Sequence, residues 1–492
     1  VTARRSNLRA LAIAALLVGG VAQGGDPPVP WPHGEPPAGP ELDSIVNDAV
    51  DLADLERLEE FLDAAESGED SEHMLVWQDD IDLGMHSKEF LFRRGDALFS
   101  HEFRSENGYG ISAQSVLRRV HTGVRGGLDT FSCAGCHSVG GPDGAGSETQ
   151  NAFVLGDGDR LSSANVRNAP MALGLGLVQA LGVEMSNGLQ KLRDKAIEEA
   201  AASQAPVTVE LSIKDVDFGS LTALPSGEVD TSGVEGVSED LVIRPFGWKG
   251  NAALLRRFVE EAARVHFGVQ SHVLALGYKE SPDPDKLGPG PDWWDPDQDG
   301  IQRELEEGTL TATAVYLAML ETPVIVPPND PGLRDRWSGG EQLFDAIGCS
   351  SCHRKELPLY NYAWTERPDT TSGSGVELHL LGDGDKPRGT GLVKLFSDLK
   401  RHDMGPELAD PHPGDDGLPE SVFLTRPLWG LAESPPYLHD GRAATIPEAI
   451  LAHGGEAKAS RDAFAELSPE EQANVHIFLL SLTREPKVRV AQ

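Results

Sequence analysis

The chain has 492 residues, 39% of them hydrophobic, which places it among globular proteins with room for several cores. Its 78 acidic against 42 basic residues give a formal net charge of −36, which argues against a phosphate backbone, and so nucleic acid, as a partner. The 54 glycines and 34 prolines recur without a period, so they point to long loops rather than to a collagen-like or low-complexity chain.

Residues 1–24 have the pattern of a signal peptide: Arg4, Arg5 and Arg9 precede an apolar run from Ala10 to Val18, with small residues around Val21-Ala22. That run is too short to span a bilayer, and no later stretch reads as a transmembrane anchor, so export to the periplasm or beyond is expected. Residues 25–90 read as an N-terminal extension, with a surface helix expected from Leu42 to Ala65. From Gly95 a weak repeat begins. Gly95-Asp96-Ala97-Leu98-Phe99 resembles Gly340-Glu341-Gln342-Leu343-Phe344, and Arg167-Asn168-Ala169-Pro170-Met171 can be set beside Thr425-Arg426-Pro427-Leu428-Trp429.

Residues 204–243 alternate apolar and polar positions around a Pro-Ser-Gly turn, which predicts a small β insertion. An amphipathic helix is expected over Ala252–Phe267. The run from Asp295 to Glu306 matches a twelve-residue calcium loop: Asp295, Asp297 and Asp299 converge, Gly300 permits the turn, Ile301 offers its carbonyl and Glu306 can bind bidentately. A solvated acidic turn is the alternative. Residues 323–332, with four prolines, read as a stiff linker. Near the C-terminus, Ser468, Pro469 and Glu471 predict a capped helix.

All four cysteines fall in two runs, Cys133-Ala134-Gly135-Cys136-His137 and Cys349-Ser350-Ser351-Cys352-His353. In C-x-x-C-H the thiols can add to the vinyl groups of one haem, and the adjacent imidazole becomes the proximal iron ligand. A redox dithiol needs no such histidine, and a four-cysteine zinc site would leave both histidines unexplained. Two runs imply two covalent c-type haems, with His137 and His353 on the irons. The fold class expected is mainly α: two cytochrome c-like haem domains with long loops, at about 91–330 and 331–492, the first carrying the β insertion and the calcium loop.

These two runs, with Phe246-Gly247-Trp248-Lys249, His402-Asp403-Met404-Gly405 and Pro436-Tyr437-Leu438-His439-Asp440-Gly441-Arg442, resemble the di-haem oxidoreductase family of peroxidase type. That family is distantly similar to bacterial di-haem cytochrome c peroxidases and to the di-haem enzyme that matures a tryptophylquinone cofactor. The resemblance runs from about Gly95 to Leu482 and is dense after Gly340. It implies a six-coordinate second haem that receives electrons and a first haem that opens a position for peroxide.

The relatives carry the second haem's distal ligand fourteen residues after the His of the His-Asp-Gly run, as Met or Tyr; counting from His439 lands on His453. Met404 is the competing ligand. The relatives also place an acid about twenty residues after an inter-haem tryptophan. Here Trp248 matches that tryptophan, and His266 stands eighteen residues on. His266 is then a general base, an axial ligand or a plain surface histidine, with His101 and His121 as weaker ligand candidates.

The leading expectation is an exported oxidoreductase that reduces hydrogen peroxide with electrons from an external donor, a small cytochrome or cupredoxin. The alternatives are a non-enzymatic electron relay and haem-dependent oxidation of a protein or organic substrate.

Overall fold

The computed structural model describes residues 74–104, 120–121, 124–125, 129–137, 152–154, 161–271, 304–368, 375–380, 391–414 and 417–484. The expected signal peptide, the helix expected from Leu42 to Ala65 and the calcium-loop positions Asp295, Asp297, Asp299 and Ile301 lie outside these residues. Among the described residues, no helix is long and apolar enough to cross a membrane.

Seven of the nine α-helices among the described residues frame the cores and the sites: α1 (Lys88–Ser100), α2 (Leu175–Ser203), α3 (Leu255–Ala262), α4 (Glu307–Met319), α5 (Pro331–Ala346), α6 (Ile446–Ala452) and α7 (Pro469–Leu479). Helix α4 is apolar or small on all sides, and every residue from Glu307 to Ala318 is buried, as a helix without a polar face must be. The core around it draws on α1, α2 and α3. A second core joins Phe344, Phe396, Phe464, Val475 and Phe478 beneath α5 and α7.

The weak repeat marks two helix crossings of one design. A Cβ at Gly95 in α1 would strike the Ala312 carbonyl of α4, and one at Gly340 in α5 would strike the Asn474 carbonyl of α7, so both backbones approach closely only because these positions are glycine. One turn on, Phe99 meets Tyr316 with ring centroids 5.5 Å apart, and Phe344 meets Phe478 at 5.4 Å. Each crossing leads into one of the two cysteine runs.

The β insertion is present as an antiparallel three-stranded sheet, β1 (Val207–Ile213), β2 (Val216–Ala223) and β3 (Val229–Asp230), in that order. Its alternation turns Leu211, Val216, Phe218, Leu221 and Ala223 inward. Among the described residues there are seven small sheets, none wider than three strands, so helices carry the core. Six short strands between residues 357 and 424 were not expected; at three or four residues each they have too little alternation to read.

Residues 323–332 are not a free linker. Val324–Ile325 (β4) pairs with Leu482–Thr483 (β5), and Pro331 occupies the first turn of α5, where Asp330 caps the helix by accepting from Leu333 N at 2.9 Å. Proline's fixed φ suits that first turn, which is why a proline-rich segment ends in a helix. The C-terminal helix has the capping box expected of it, Ser468 with Glu471.

Candidate functional site

The two cysteine runs fold alike. Cys133–Gly135 and Cys349–Ser351 each form a 3₁₀ turn, closed by His137 N to Cys133 O at 2.9 Å and by His353 N to Cys349 O at 3.0 Å. Burial pushes the Cys133 and Cys349 thiols up to about 12, so without a bound metal both stay protonated, unlike the thiolate of a reactive dithiol.

The second run opens onto a cavity that holds about 1890 Å³ of space free of protein atoms, part of it open to solvent. Cys349, Cys352, His353, Met404 and His453 all line it, so the structure brings these sequence candidates together. His353 Nδ1 donates to the Phe396 carbonyl at 3.1 Å and His453 Nδ1 to the Ala449 carbonyl at 2.7 Å, which leaves each Nε2 with its lone pair. Burial first and the neighbouring His453 second bring His353 down to about 4, and burial also lowers His453. Both imidazoles are therefore neutral, the form in which they bind iron.

His453 is placed by local chemistry. Thr445 and Glu448 form a second capping box, proline follows Ile446 in the first turn, and α6 runs seven residues to end with His453 as its C-cap. The next turn is tied down by Glu456, which accepts from Asp403 N at 2.8 Å and pairs with His402 Nδ1 at 2.7 Å. His402 Nε2 also meets Asp398 at 2.9 Å. Burial disfavours the His402 charge, but the bonds to Asp398 and Cys352 outweigh it and push His402 up to about 11. The donor atoms of Cys352, Asp398 and His402 lie within 4.8 Å of one another, yet both His402 nitrogens are already engaged, so this cluster has no free imidazole lone pair for a metal.

The first site is built around His137 and His266. The helix expected over Ala252–Phe267 is present as α3, which loosens into a π turn at Ala263–Phe267 carrying His266. His266 Nδ1 donates to Asp129 Oδ2 at 2.7 Å, while Asp129 N donates back to the His266 carbonyl at 3.0 Å. Asp129 is fully buried, so the imidazole is held with Nε2 presented away from the carboxylate. Burial lowers His137 to about 4; the Pro170 carbonyl opposes this, and the charges of His266 and Arg426 add to it. His266 thus lies within electrostatic reach of His137, as His453 does of His353. His101 follows the end of α1, and the side chain of His121 lies outside the described residues.

Trp248 is tied through Asn168 to the His439 segment. Its Nε1 donates to the Asn168 carbonyl at 2.7 Å, and Asn168 N donates to the His439 carbonyl at 2.7 Å. The His439 ring stacks on Phe423 at 4.3 Å and meets Trp248 edge-on at 6.4 Å. Below it, Asp410 is gripped by Arg167 through two bonds of 2.7 Å.

Asp129 was not singled out from the sequence. Its place four residues before Cys133 was the available signal, but the partner that gives it meaning is 137 residues away. Of the residues expected to bind calcium only Glu306 is described, buried as the N-cap residue of α4.

The protein atoms around the second run fit a c-type haem: protonated thiols in the attachment turn, an imidazole fixed through Nδ1, and a roomy cavity with a second neutral imidazole. The first run shares the turn and the paired imidazoles.

Two solved structures are similar to the chain. One is described as "Kuenenia stuttgartiensis Hydrazine Synthase Pressurized with 20 bar Xenon", 16% identical over 80% of this chain and 87% of that chain, with a TM-score of 0.33. The other is described as "Crystal structure of a MauG-like protein associated with microbial copper homeostasis", 16% identical over 53% of this chain and 77% of that chain, with a TM-score of 0.27. No curated protein matches the sequence. Residues 325–482, which include the second cysteine run, His453 and the Pro436–Arg442 segment but not Trp248 or His266, match the model of the family described as "Di-haem oxidoreductase, putative peroxidase". That part of the chain carries the signature of the di-haem oxidoreductase family.

Proposed function

We propose that the protein is an exported di-haem c-type oxidoreductase that reduces hydrogen peroxide, taking electrons from an external donor through the second haem site. The observation that carries this reading is the cavity shared by Cys349, Cys352, His353 and His453, with both imidazoles tied through Nδ1. Haem, when bound, supplies the redox chemistry by which two electrons and two protons convert peroxide to two waters.

Cys133 and Cys136 would hold one haem and Cys349 and Cys352 the other, with His137 and His353 offering Nε2 to the irons. His453 would offer a further nitrogen to the iron at the second site, and Met404, which lines the same cavity, is its competitor. At the first site Asp129 fixes the His266 tautomer, so His266 Nε2 is the atom that takes a proton from peroxide and returns it to the departing oxygen. Trp248, pinned by Asn168, stands on the route between the halves and serves as the electron conduit. The −36 net charge steers a cationic carrier, such as a small cytochrome or a cupredoxin, toward the surface.

An electron relay is the second reading. It is favoured by one observation: His266 lies in the π turn that follows α3, as His453 lies at the end of α6, so His266 Nε2 could also bind the iron.

Covalent attachment has a direct test. The denatured chain should keep two haem masses by intact mass spectrometry, and Cys136→Ser with Cys352→Ser should lose both. Haem extractable by acidic acetone from the wild type would contradict it.

Calcium at Asp295, Asp297, Asp299, Ile301 and Glu306 belongs to the same proposal. It would offset the mutual repulsion of the carboxylates and anchor the loop at the start of α4. Excess chelator should lower the melting temperature; an unchanged melting curve would leave only a solvated acidic turn.

A further inference from the structure

Among the described residues, no ion pair balances the charge of Arg426. Its guanidinium lies 5.8 Å from the Trp248 ring centroid, and Nη1 donates to the Pro245 carbonyl at 3.3 Å. Among the described residues no carboxylate pairs with it, although the chain has nearly two acids for each base. Other cations that are half-buried or buried are treated differently: Arg167 holds Asp410, Lys249 shares that carboxylate at 3.4 Å, and Arg256 meets Glu366 at 3.0 Å. A guanidinium has five N–H donors in a planar fork, so most of those of Arg426 have no protein acceptor.

Its surroundings say where the missing partner belongs. Arg426 lines the same cavity as Cys352, His353 and Trp248, and its charge also acts on His137. Burial lowers its pKa to about 10, so it remains charged. Half-buried in the cavity wall with most of its donors unmatched by protein, the guanidinium is suited to an anion that enters that cavity. Packing on Trp248 alone is a weak substitute, because 5.8 Å is near the outer limit of a cation–π contact.

We propose that the Arg426 guanidinium binds a carboxylate lying in this cavity, namely a propionate of the haem attached at Cys349 and Cys352. The inference rests on the haem reading given above. A free carboxylate from solution has the same chemistry, but the strongly negative chain repels free anions, whereas a propionate arrives covalently tethered. The planar fork suits a carboxylate through two parallel bonds.

The test uses the haem-loaded protein, with Arg426→Gln and Arg426→Lys, and reads haem content and the midpoint potential of each haem. Arg426→Gln should keep both haems and lower the second haem's potential, because an unpaired propionate charge favours the ferric state; Arg426→Lys should restore much of the loss. Added acetate at constant ionic strength should leave the wild-type potential unchanged. Unchanged potentials in Arg426→Gln would reduce Arg426 to a packing residue. An acetate-dependent wild-type potential that becomes acetate-independent in Arg426→Gln would assign the site to a free anion instead.

Resonance Raman of the wild type supplies a reading that needs no variant: the propionate bending band should lie at its hydrogen-bonded position, and a band at the free position would overturn the proposal. Wild-type protein without covalent haem would instead defeat the reading beneath it.

Discussion

His266→Ala should leave both haems attached and slow peroxide turnover by about 10²–10⁴-fold, the usual contribution of a positioned acid–base group. The expectation follows from the Asp129 contact. A carboxylate only accepts, so the 2.7 Å bond fixes the proton on His266 Nδ1 and keeps Nε2 basic. Asp129→Asn should therefore slow turnover too, by less, because the amide can still hold the ring but no longer supports a developing positive charge. Trp248→Phe should slow electron supply while sparing the peroxide step, a distinction that single-turnover kinetics on pre-reduced protein reads directly. If His266 is an axial ligand, His266→Ala would open the iron and raise peroxide reactivity. The direction of the change separates the two roles.

His453→Met should raise the potential of the second haem markedly, within the roughly 0.8 V that axial ligation spans, because a thioether favours ferrous iron more than an imidazole does. The structure gives His453 a reason to hold its place: a capped helix delivers it, the Ala449 carbonyl fixes its ring, and Glu456 pins the following turn to His402 and Asp403. Met404→Ala should leave the low-spin spectrum of that haem intact. Ligand loss in Met404→Ala together with an unchanged spectrum in His453→Ala would reverse the assignment.

What the sequence revealed, and what it did not, follows from the range of the forces involved. The capping box at Ser468 and Glu471 and the alternation of residues 207–223 are local, so both elements were readable. The Gly95 and Gly340 repeat was visible as letters, but its meaning, two close helix crossings, depends on Ala312 and Asn474 far along the chain. The proline-rich segment at 323–332 misled because Pro331 stiffens a linker and starts a helix equally well; the cap from Asp330 decides between them. The 29-residue helix α2 went unmarked, since its glycine-bearing first half and alanine- and glutamate-rich second half share no single period.

At the candidate site, the cysteine runs, His453, Met404, Trp248 and His266 were all named from the chain. The groups that give them function were not. Asp129 and Arg426 are defined by partners brought in through space, His266 for one and Trp248 with the cavity for the other. Arg426 belongs to the weak repeat, but nothing in a sequence shows that a cation has no acid beside it among the described residues.

The most direct test of the central claim is peroxide consumption by the wild-type holoprotein, half-reduced through the second haem and mixed rapidly with hydrogen peroxide. The account predicts rapid turnover sustained by an electron donor, with two electrons consumed for each peroxide. A protein that holds two covalent haems yet stays inert to peroxide in the oxidised, half-reduced and fully reduced states would contradict it and leave an electron relay.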